Sequence, residues 1–413
     1  MTDQSAPATD DLDSPLQGVR VIEITNWMAA PGCAAMMADM GADVIKVEPL
    51  TGDVVRNMMR PPLPQGDRPA IDASFEGDNR GKRSIAVALD TDAGAQLVRD
   101  LTATADVFLC NLLPQRQAKF GLDAETLLAL RPQLVHATLT GYGLKGPDAT
   151  RPGFDVTAFF GRGAITDFST EPGAVAPMPG AAQGDHTTSL SLLSGILAAL
   201  RMAERTGRGR AVDVSLMGTA TWTMMSNLAA VLVDGRVPTK RDRRNLIAPL
   251  GNRFKCADGR WIILNMVEAR WWEPFCRTVG LEELLDDERF DSIRTRYQNM
   301  PDLIDIIDAK FATKSMPEWG QILDDAGLIW GPASSLTELA ADPQAAAVGM
   351  FPEIDHPEGG TFRTVATPIH IADATIAPRG PAPKVGEHTD ELLRELGLSD
   401  DAIATLRTDG NIG

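Results

Sequence analysis

The sequence predicts an α/β fold: a mostly parallel sheet with helices on both faces, joined to a smaller domain of different character. Two observations predict it. Apolar strand-like runs alternate with helix-like stretches at the spacing of βαβ units over the first 140 residues. Beyond about residue 235 the alternation stops, and a basic stretch gives way to a hairpin and tryptophan-rich helical sequence.

VRVIEI (19–24) reads as the first strand, and a small-residue helix over 30–40 is stopped by Gly41. DVIKVE (43–48) is the second strand. A helix near 91–104, the strand DVFLCN (106–111), a helix near 123–130 and the strand LVHATL (134–139) continue the pattern. Such sheets bind ligands beyond the C-terminal ends of their strands, where loops run into helix N-termini. The relevant loops are 25–31, 49–53, 111–116 and 141–153.

A long helix begins near Asp185, runs through SLSLLSGILAALRMAE and ends in TGRGR; VDVSL (212–216) follows as a strand. Val214 to Val233 carries no charge, about the length of a membrane span. Its Ser, Thr and Asn residues, with helix-spaced apolar positions between them, favour a buried helix of a soluble core. RVPTKRDRRNL reads as a linker, and FKCADGRWIILN as a hairpin turning at Asp258-Gly259. The smaller domain is expected over 235–325, with 16–234 and 326–413 forming the larger one. Near the C-terminus TDELLREL is a helix with Thr389 as its expected N-cap. MTDQSAPATDDLDSP, residues 1–15, is polar and acidic, lacks the regions of a signal peptide, and is expected to be a disordered tail.

The chain has 413 residues, 39 basic and 56 acidic, a net charge of -17. That field repels nucleic acid and anionic membranes, so neither is an expected partner. An anionic ligand has to be held by a local cluster of basic groups and helix N-termini. Cys33, Cys110, Cys256 and Cys276 are scattered without a CxxC pair, and only five histidines are present. No metal site is expected, and the thiols fit a reducing, cytoplasmic setting.

The first βα turn, NWMAAPGCAA, has only Gly32 to admit a pyrophosphate, although Glu48 stands about 20 residues on; it is not GxGxxG, which disfavours a nicotinamide enzyme. Walker loops, HExxH and GxSxG are absent. GDHTTSLSLLSGILAAL is more informative. Asp185, just before a helix, is ordinarily an N-cap. The same position stabilises a carboxylate as the anion, and such an anion can attack an acyl carbonyl covalently. Gly184 before it removes side-chain bulk from the carbonyl's approach. Lys82, Arg83, Lys119 and Arg151 recur near the ligand loops, as a phosphate-rich ligand requires, though each alone reads as a solvated charge.

These residues carry a resemblance. PLQGVRVIEIT, APGCAAMMADMGADVIKVEP, NRGKRSIAVAL, NLLPQRQAKFGL, LTGYGLKGPDATRPGFD, GDHTTSLSLLSGILAALRMAERTGRGRAVDVSL, GPASSLTELAADPQ and GEHTDELLRELGL run in order over nearly the whole chain. Together they resemble the family III CoA-transferases of the CaiB/BaiF type, which include formyl-CoA, carnitine and bile-acid CoA-transferases. The resemblance implies a Rossmann-like large domain built from both chain ends, a small α+β domain, and two ring-shaped subunits interlocked as a homodimer.

It also implies a chemistry. Asp185, the Asp of the family's Gly-Asp motif, would attack an acyl-CoA thioester to give an acyl–aspartyl anhydride and CoA thiolate. The thiolate would convert the anhydride to an aspartyl-CoA thioester. The acceptor carboxylate would form a second anhydride, whose acyl group CoA captures. Coenzyme A is then a substrate, no metal or redox cofactor is required, and water has to be excluded.

By motif position the implied CoA contacts are Met28, Ala29, Val87, Ala88, Leu89, Asn111, Leu112, Leu113, Lys119, Thr150, Arg151 and Phe154, with Lys119 and Arg151 on phosphates. Trp27, Phe159 and Phe160, with Gly184, are candidates for an apolar acyl pocket. The chain departs from oxalate- and formate-handling members, having Met28 in place of their Gln and no glycine quartet; PLGN (249–252) is the nearest stretch. The expected acyl group is therefore apolar or aromatic. Two alternatives remain open: a 2-methylacyl-CoA racemase, whose members have a His where this chain has Phe154, and a non-catalytic CoA-binding protein.

Overall fold

A computed structural model describes residues 13–57 and 71–413. The first twelve residues of the expected tail lie outside the described residues. Ser14 is buried and accepts a hydrogen bond from Arg379, so ordered structure begins before residue 16.

Six parallel strands form the main sheet: β1 (Arg20–Ile24), β2 (Asp43–Glu48), β3 (Arg83–Ala86), β4 (Val107–Cys110), β5 (Val135–Thr140) and β6 (Ala211–Ser215). Their spatial order is β3-β2-β1-β4-β5-β6. Val21 stands opposite Val44 on one side and Val107 on the other. The chain starts in the middle and winds outward both ways, so the direction reverses between β1 and β4. That reversal opens a crevice at the C-terminal ends of the two strands.

The helices of this unit include α1 (Ala29–Asp39), α2 (Ala73–Asn79), α3 (Asp92–Ala103), α4 (Pro114–Phe120) and α5 (Ala124–Leu130); a short α6 (Ile165–Ser169) precedes the long α7 (Gln183–Thr206). On one face Ile22, Ile45 and Phe108 pack with Val98 and Leu101 of α3 and with Leu392 and Leu393 near the C-terminus. On the other face Val21, Val44, Leu109 and Ala137 meet Cys33 and Met37 of α1 and Leu192 and Ile196 of α7. Burial on both faces explains why the strands read as nearly continuous apolar runs. Gly195 lets α7 lie close on β6, since a Cβ there would stand 2.9 Å from the Val212 methyl.

Two sequence expectations change. The uncharged stretch 214–233 is not one buried helix. After β6 it forms α8 (Leu216–Thr223) and α9 (Met225–Asp234), bent by 84°. The hydroxyls of Thr221 and Thr223 bond back to the carbonyls of Met217 and Ala220 beside the break, a pattern that bends helices. Trp222, Leu232 and Val233 are exposed, 71%, 79% and 82%. Among the described residues no single helix is long and apolar enough to cross a membrane. Thr389 is also not an N-cap: it is the first residue of the helix Thr389–Glu395, after His388. Its hydroxyl instead accepts from the Ala86 N–H at 3.3 Å, tying that helix to β3.

Contacts divide the chain into two compact units, one comprising 13–167, 177–232 and 344–413, the other 168–176 and 233–343. In the second, β7 (Arg253–Lys255), β8 (Trp261–Leu264) and β9 (Trp330–Pro332) form an antiparallel sheet. The β7–β8 turn holds Gly259 at φ 83°. Helices α10 (Trp272–Val279), α11 (Ile293–Gln298), α12 (Met300–Phe311) and α13 (Met316–Asp325) enclose Phe254, Phe275, Phe290 and Trp319. This unit runs past 325 because β9 pairs with β8, and it takes in 168–176, where Glu171 meets Arg253.

Candidate active site

The loops after β1 and β4 are joined by an asparagine clamp. Asn111, just past β4, donates from Nδ2 to the Asn26 carbonyl at 2.7 Å, and its Oδ1 accepts from the Asn26 N–H at 3.2 Å. The loop after β1 then turns through Trp27, whose φ is 69°. That left-handed conformation is costly for a bulky residue and marks a strained turn. Trp27 stands edge-on to Phe154 with ring centroids 5.0 Å apart. Phe154 is 47% exposed and leads into a π-helical segment, Asp155–Arg162.

α7 is tied to the same loop. Ser189 donates to the Ala29 carbonyl at 2.5 Å and lies 3.1 Å from the Asp185 carbonyl. Asp185 is in the first turn of α7 and not at its cap, which is Ala182 in a left-handed conformation, φ 66°. The expectation of a carboxylate settled as the anion also changes. Burial, then the neighbouring charges of Asp155 and Asp78, push the Asp185 carboxyl up to about 7, against an opposing pull from His186. Asp155 is itself buried; its Oδ1 accepts from the Val156 N–H at 2.6 Å, while Oδ2 has no hydrogen-bond partner among the described residues. On the other side His186 Nε2 meets Asp78 Oδ1 at 3.0 Å.

Several sequence candidates converge here. Trp27, Met28 and Ala29 form the turn into α1, Asn111 holds it, and Phe154 faces it. Others are placed differently. Phe159 and Phe160 belong to a packed cluster with Tyr142, Leu216 and Ala220, so they are core and not a pocket lining. Gly184 does not open a path for a carbonyl: a Cβ there would stand 2.6 Å from the Phe159 ring, so its bareness serves helix packing. Val87 is fully buried and paired with Ile412, and the Ala88 N–H bonds the Asn411 carbonyl, leaving this strand end covered by the C-terminus. Leu89 packs against the core behind it and Leu112 is buried; Leu113 precedes α4.

The basic candidates separate sharply. Lys82 is buried, bonding Glu23 at 2.7 Å, Asn79 at 3.0 Å and the Pro31 carbonyl at 3.0 Å. Arg83 is held by Asp43, Glu391 and Glu395. Neither is free for a phosphate, because each neutralises carboxylates within the fold. Lys119 is exposed on α4, 5.1 Å over the Phe120 ring. Arg151 is exposed, 3.5 Å from Asp148, beside an exposed Thr150. Glu48 is bound by Arg56 at 2.7 Å and by Ser84, so it cannot serve a ribose.

Sequence reasoning missed the His186–Asp78 pair. Its histidine was visible beside Asp185 in GDH, but only the fold brings Asp78 to it. Among the described residues no group of three or more His, Cys, Asp or Glu is placed to hold a metal ion.

The chain matches the model of CoA-transferase family III over residues 16–389. It is 34% identical to the (R)-2-hydroxy-4-methylpentanoate CoA-transferase of Clostridioides difficile, covering 94% of this chain and 97% of that one. It is 32% identical to the cinnamoyl-CoA:phenyllactate CoA-transferase of Clostridium sporogenes, over 96% of each. Identity to the succinate–glutarate CoA-transferase of Agrobacterium fabrum is 33%, over 92% of this chain and 96% of the relative. Among solved structures, a CAIB/BAIF family protein from Brucella suis superposes with a TM-score of 0.82 at 32% identity, covering 93% of this chain and all of that one.

Proposed function

The chain belongs to CoA-transferase family III, and on that premise we propose that it moves coenzyme A from an acyl-CoA donor to a carboxylic acid acceptor with Asp185 as nucleophile. The observation that carries this is the placement of Asp185: in the first turn of α7, tied through Ser189 to the loop at the switch point, with a carboxyl pushed up to about 7. Acyl exchange between a carboxylate and a thiolate is hampered when their basicities differ widely, about 4 against about 8.5 for ordinary groups. Raising Asp185 to about 7 narrows that gap. The carboxylate becomes a stronger nucleophile while a large fraction stays ionised at neutral pH. The thioester is exchanged and not hydrolysed, and no metal or redox group takes part in the proposed steps.

The edge-on pair of half-buried Trp27 and exposed Phe154 supports an apolar or aromatic acyl group, consistent with the branched and aryl acids named for two relatives. Met28, Ala29, Leu113, Lys119, Thr150 and Arg151 are the groups we assign to coenzyme A. A homodimer is part of the proposal, with the exposed apolar side chains Trp222 of α8 and Leu232 of α9 as surface for a second copy; the setting is cytoplasmic. The test is a panel of acyl-CoA donors with isotopically labelled branched, aryl, dicarboxylic and small polar acids. Label appearing in the acyl-CoA of branched or aryl acids is expected. Transfer confined to oxalyl or formyl groups would contradict the acyl assignment. Loss of α-deuterium without CoA exchange would mean a racemase, and binding without exchange a non-catalytic protein.

A further inference from the structure

Three helices meet beside Asp185 with almost no spare room. A Cβ on Gly32 of α1 would stand 3.1 Å from Asp78 Oδ1, 3.1 Å from Ser189 Oγ and 3.4 Å from the His186 ring. The bare glycine lets α1 close on the ends of α2 and α7, fixing Asp78 and His186 against each other. Asp78 is buried, 7% exposed, and a buried carboxylate needs a compensating partner. His186 supplies it through Nε2 at 3.0 Å. The hydrogen bond and charge of Asp78, joined by the charge of Asp185, hold the imidazole above its usual proton affinity. Burial of the ring opposes this, and so, more weakly, does Arg80, whose guanidinium is held on Asp39 at 2.6 Å. Asp155, from the π-helical segment, adds a negative charge that acts on Asp185.

His186, its proton affinity raised, stands next to the proposed nucleophile and on its α1 side, where Met28 and Ala29 lead the loop assigned to coenzyme A. Its side chain is 55% exposed. With Nε2 on Asp78, Nδ1 remains as the other donor position of the protonated ring.

Resting on the transferase reading, we propose that His186, oriented by Asp78, is a catalytic residue whose Nδ1–H receives the coenzyme A thiolate released when Asp185 is acylated. A lone pair of an Asp185 carboxylate oxygen forms the C–O bond to the acyl carbon. The C–S bond breaks and its electron pair goes to sulfur, so one negative charge moves from the carboxylate to the thiolate. Beside Asp78 and Asp155 that thiolate would be repelled. The imidazolium offsets them and donates a charge-assisted hydrogen bond to sulfur, the proton staying on nitrogen. When the thiolate attacks the anhydride, the bond is given up and the charge returns to carboxylate. Asp78 is a positioning residue in this scheme.

The test is single-turnover acylation by an acyl-CoA without acceptor, read as CoA release and as mass added to Asp185, across pH. In H186Q, release slows roughly 10- to 100-fold at neutral pH, the range of one hydrogen bond to a charged group. The wild-type fall in rate at high pH, where the imidazolium loses its proton, disappears in H186Q. In D78N the fall moves to lower pH, a change that a merely structural role for Asp78 would not produce. Wild-type rates and pH profile in H186Q would overturn the assignment, as would an unmoved fall in D78N. A wild-type protein giving no Asp185 adduct would overturn the transferase reading itself, a result distinguishable from failure of His186 alone.

Discussion

Asn111 grips the backbone of Asn26 with both ends of its amide, at 2.7 Å and 3.2 Å, joining the two loops that flank the switch point. Removing the grip frees the strained Trp27 turn to relax away from the geometry α7 is tied to. Asn111→Ala is expected to raise KM for acyl-CoA about 10-fold and to cost about 1–2 kcal/mol of stability, as two lost backbone bonds should. Asn111→Asp fares no better, because a carboxylate oxygen then faces the Asn26 carbonyl. Steady-state kinetics and thermal melts read both effects, and an unchanged KM would contradict the role.

The acylation rate rises with pH through about 7, because only the Asp185 anion attacks. Asp155→Asn removes a neighbouring negative charge, so the Asp185 carboxyl falls and the rising limb moves to lower pH. The plateau drops at the same time, since a less basic carboxylate is a weaker nucleophile. A single-turnover pH series shows both changes; a limb that stays in place would mean that Asp155 does not act on Asp185.

The same raised carboxyl has a consequence for folding. Protonated Asp185 is favoured in the native state, so its contribution to stability is full below about pH 4 and is lost as pH rises through about 7. Asp185→Asn is therefore expected to stabilise the fold at pH 8 and to leave it unchanged near pH 4. A shift of about three units sets an upper bound of ~4 kcal/mol, and partial exposure of Asp185 brings the expected gain to ~1–3 kcal/mol. Urea midpoints at the two pH values check the sign.

Gly184→Ala pits helix propensity against packing. Alanine favours a helix by about 1 kcal/mol, but its Cβ would stand 2.6 Å from the Phe159 ring. Overpacking of that kind costs about 1–3 kcal/mol, so a net loss of stability is expected, with slower acylation as the first turn of α7 shifts. Greater stability in the variant would mean that Phe159 yields easily.

Much of the fold was legible because both sheet faces are covered: DVIKVE reads as a strand and β2 spans those same six residues. The 84° break after Thr223 was hidden, since it depends on hydroxyls returning to nearby carbonyls and not on a proline or glycine signal. In the site, Asp185 and the first loop were readable, but the fate of the basic residues was not. Lys82 reads as a surface charge until Glu23, from the next-but-one strand, is seen to bury it at 2.7 Å. One signal was present: Glu23 and Lys46 sit inside apolar runs, where a charge survives only with a buried partner, and Lys46 also meets Asp53 at 3.0 Å. Asp78 gave no signal at all, because its meaning depends on three helices converging at Gly32.

The most direct test of the central claim is the covalent state of Asp185. The protein is mixed with an acyl-CoA, quenched, and its intact mass and peptides are measured with and without hydroxylamine. An acyl or CoA adduct is expected on the peptide carrying Asp185, converted to the hydroxamate by hydroxylamine and missing in Asp185→Asn. An adduct that persists unchanged in Asp185→Asn, or CoA transfer at the wild-type rate in that variant, would contradict it.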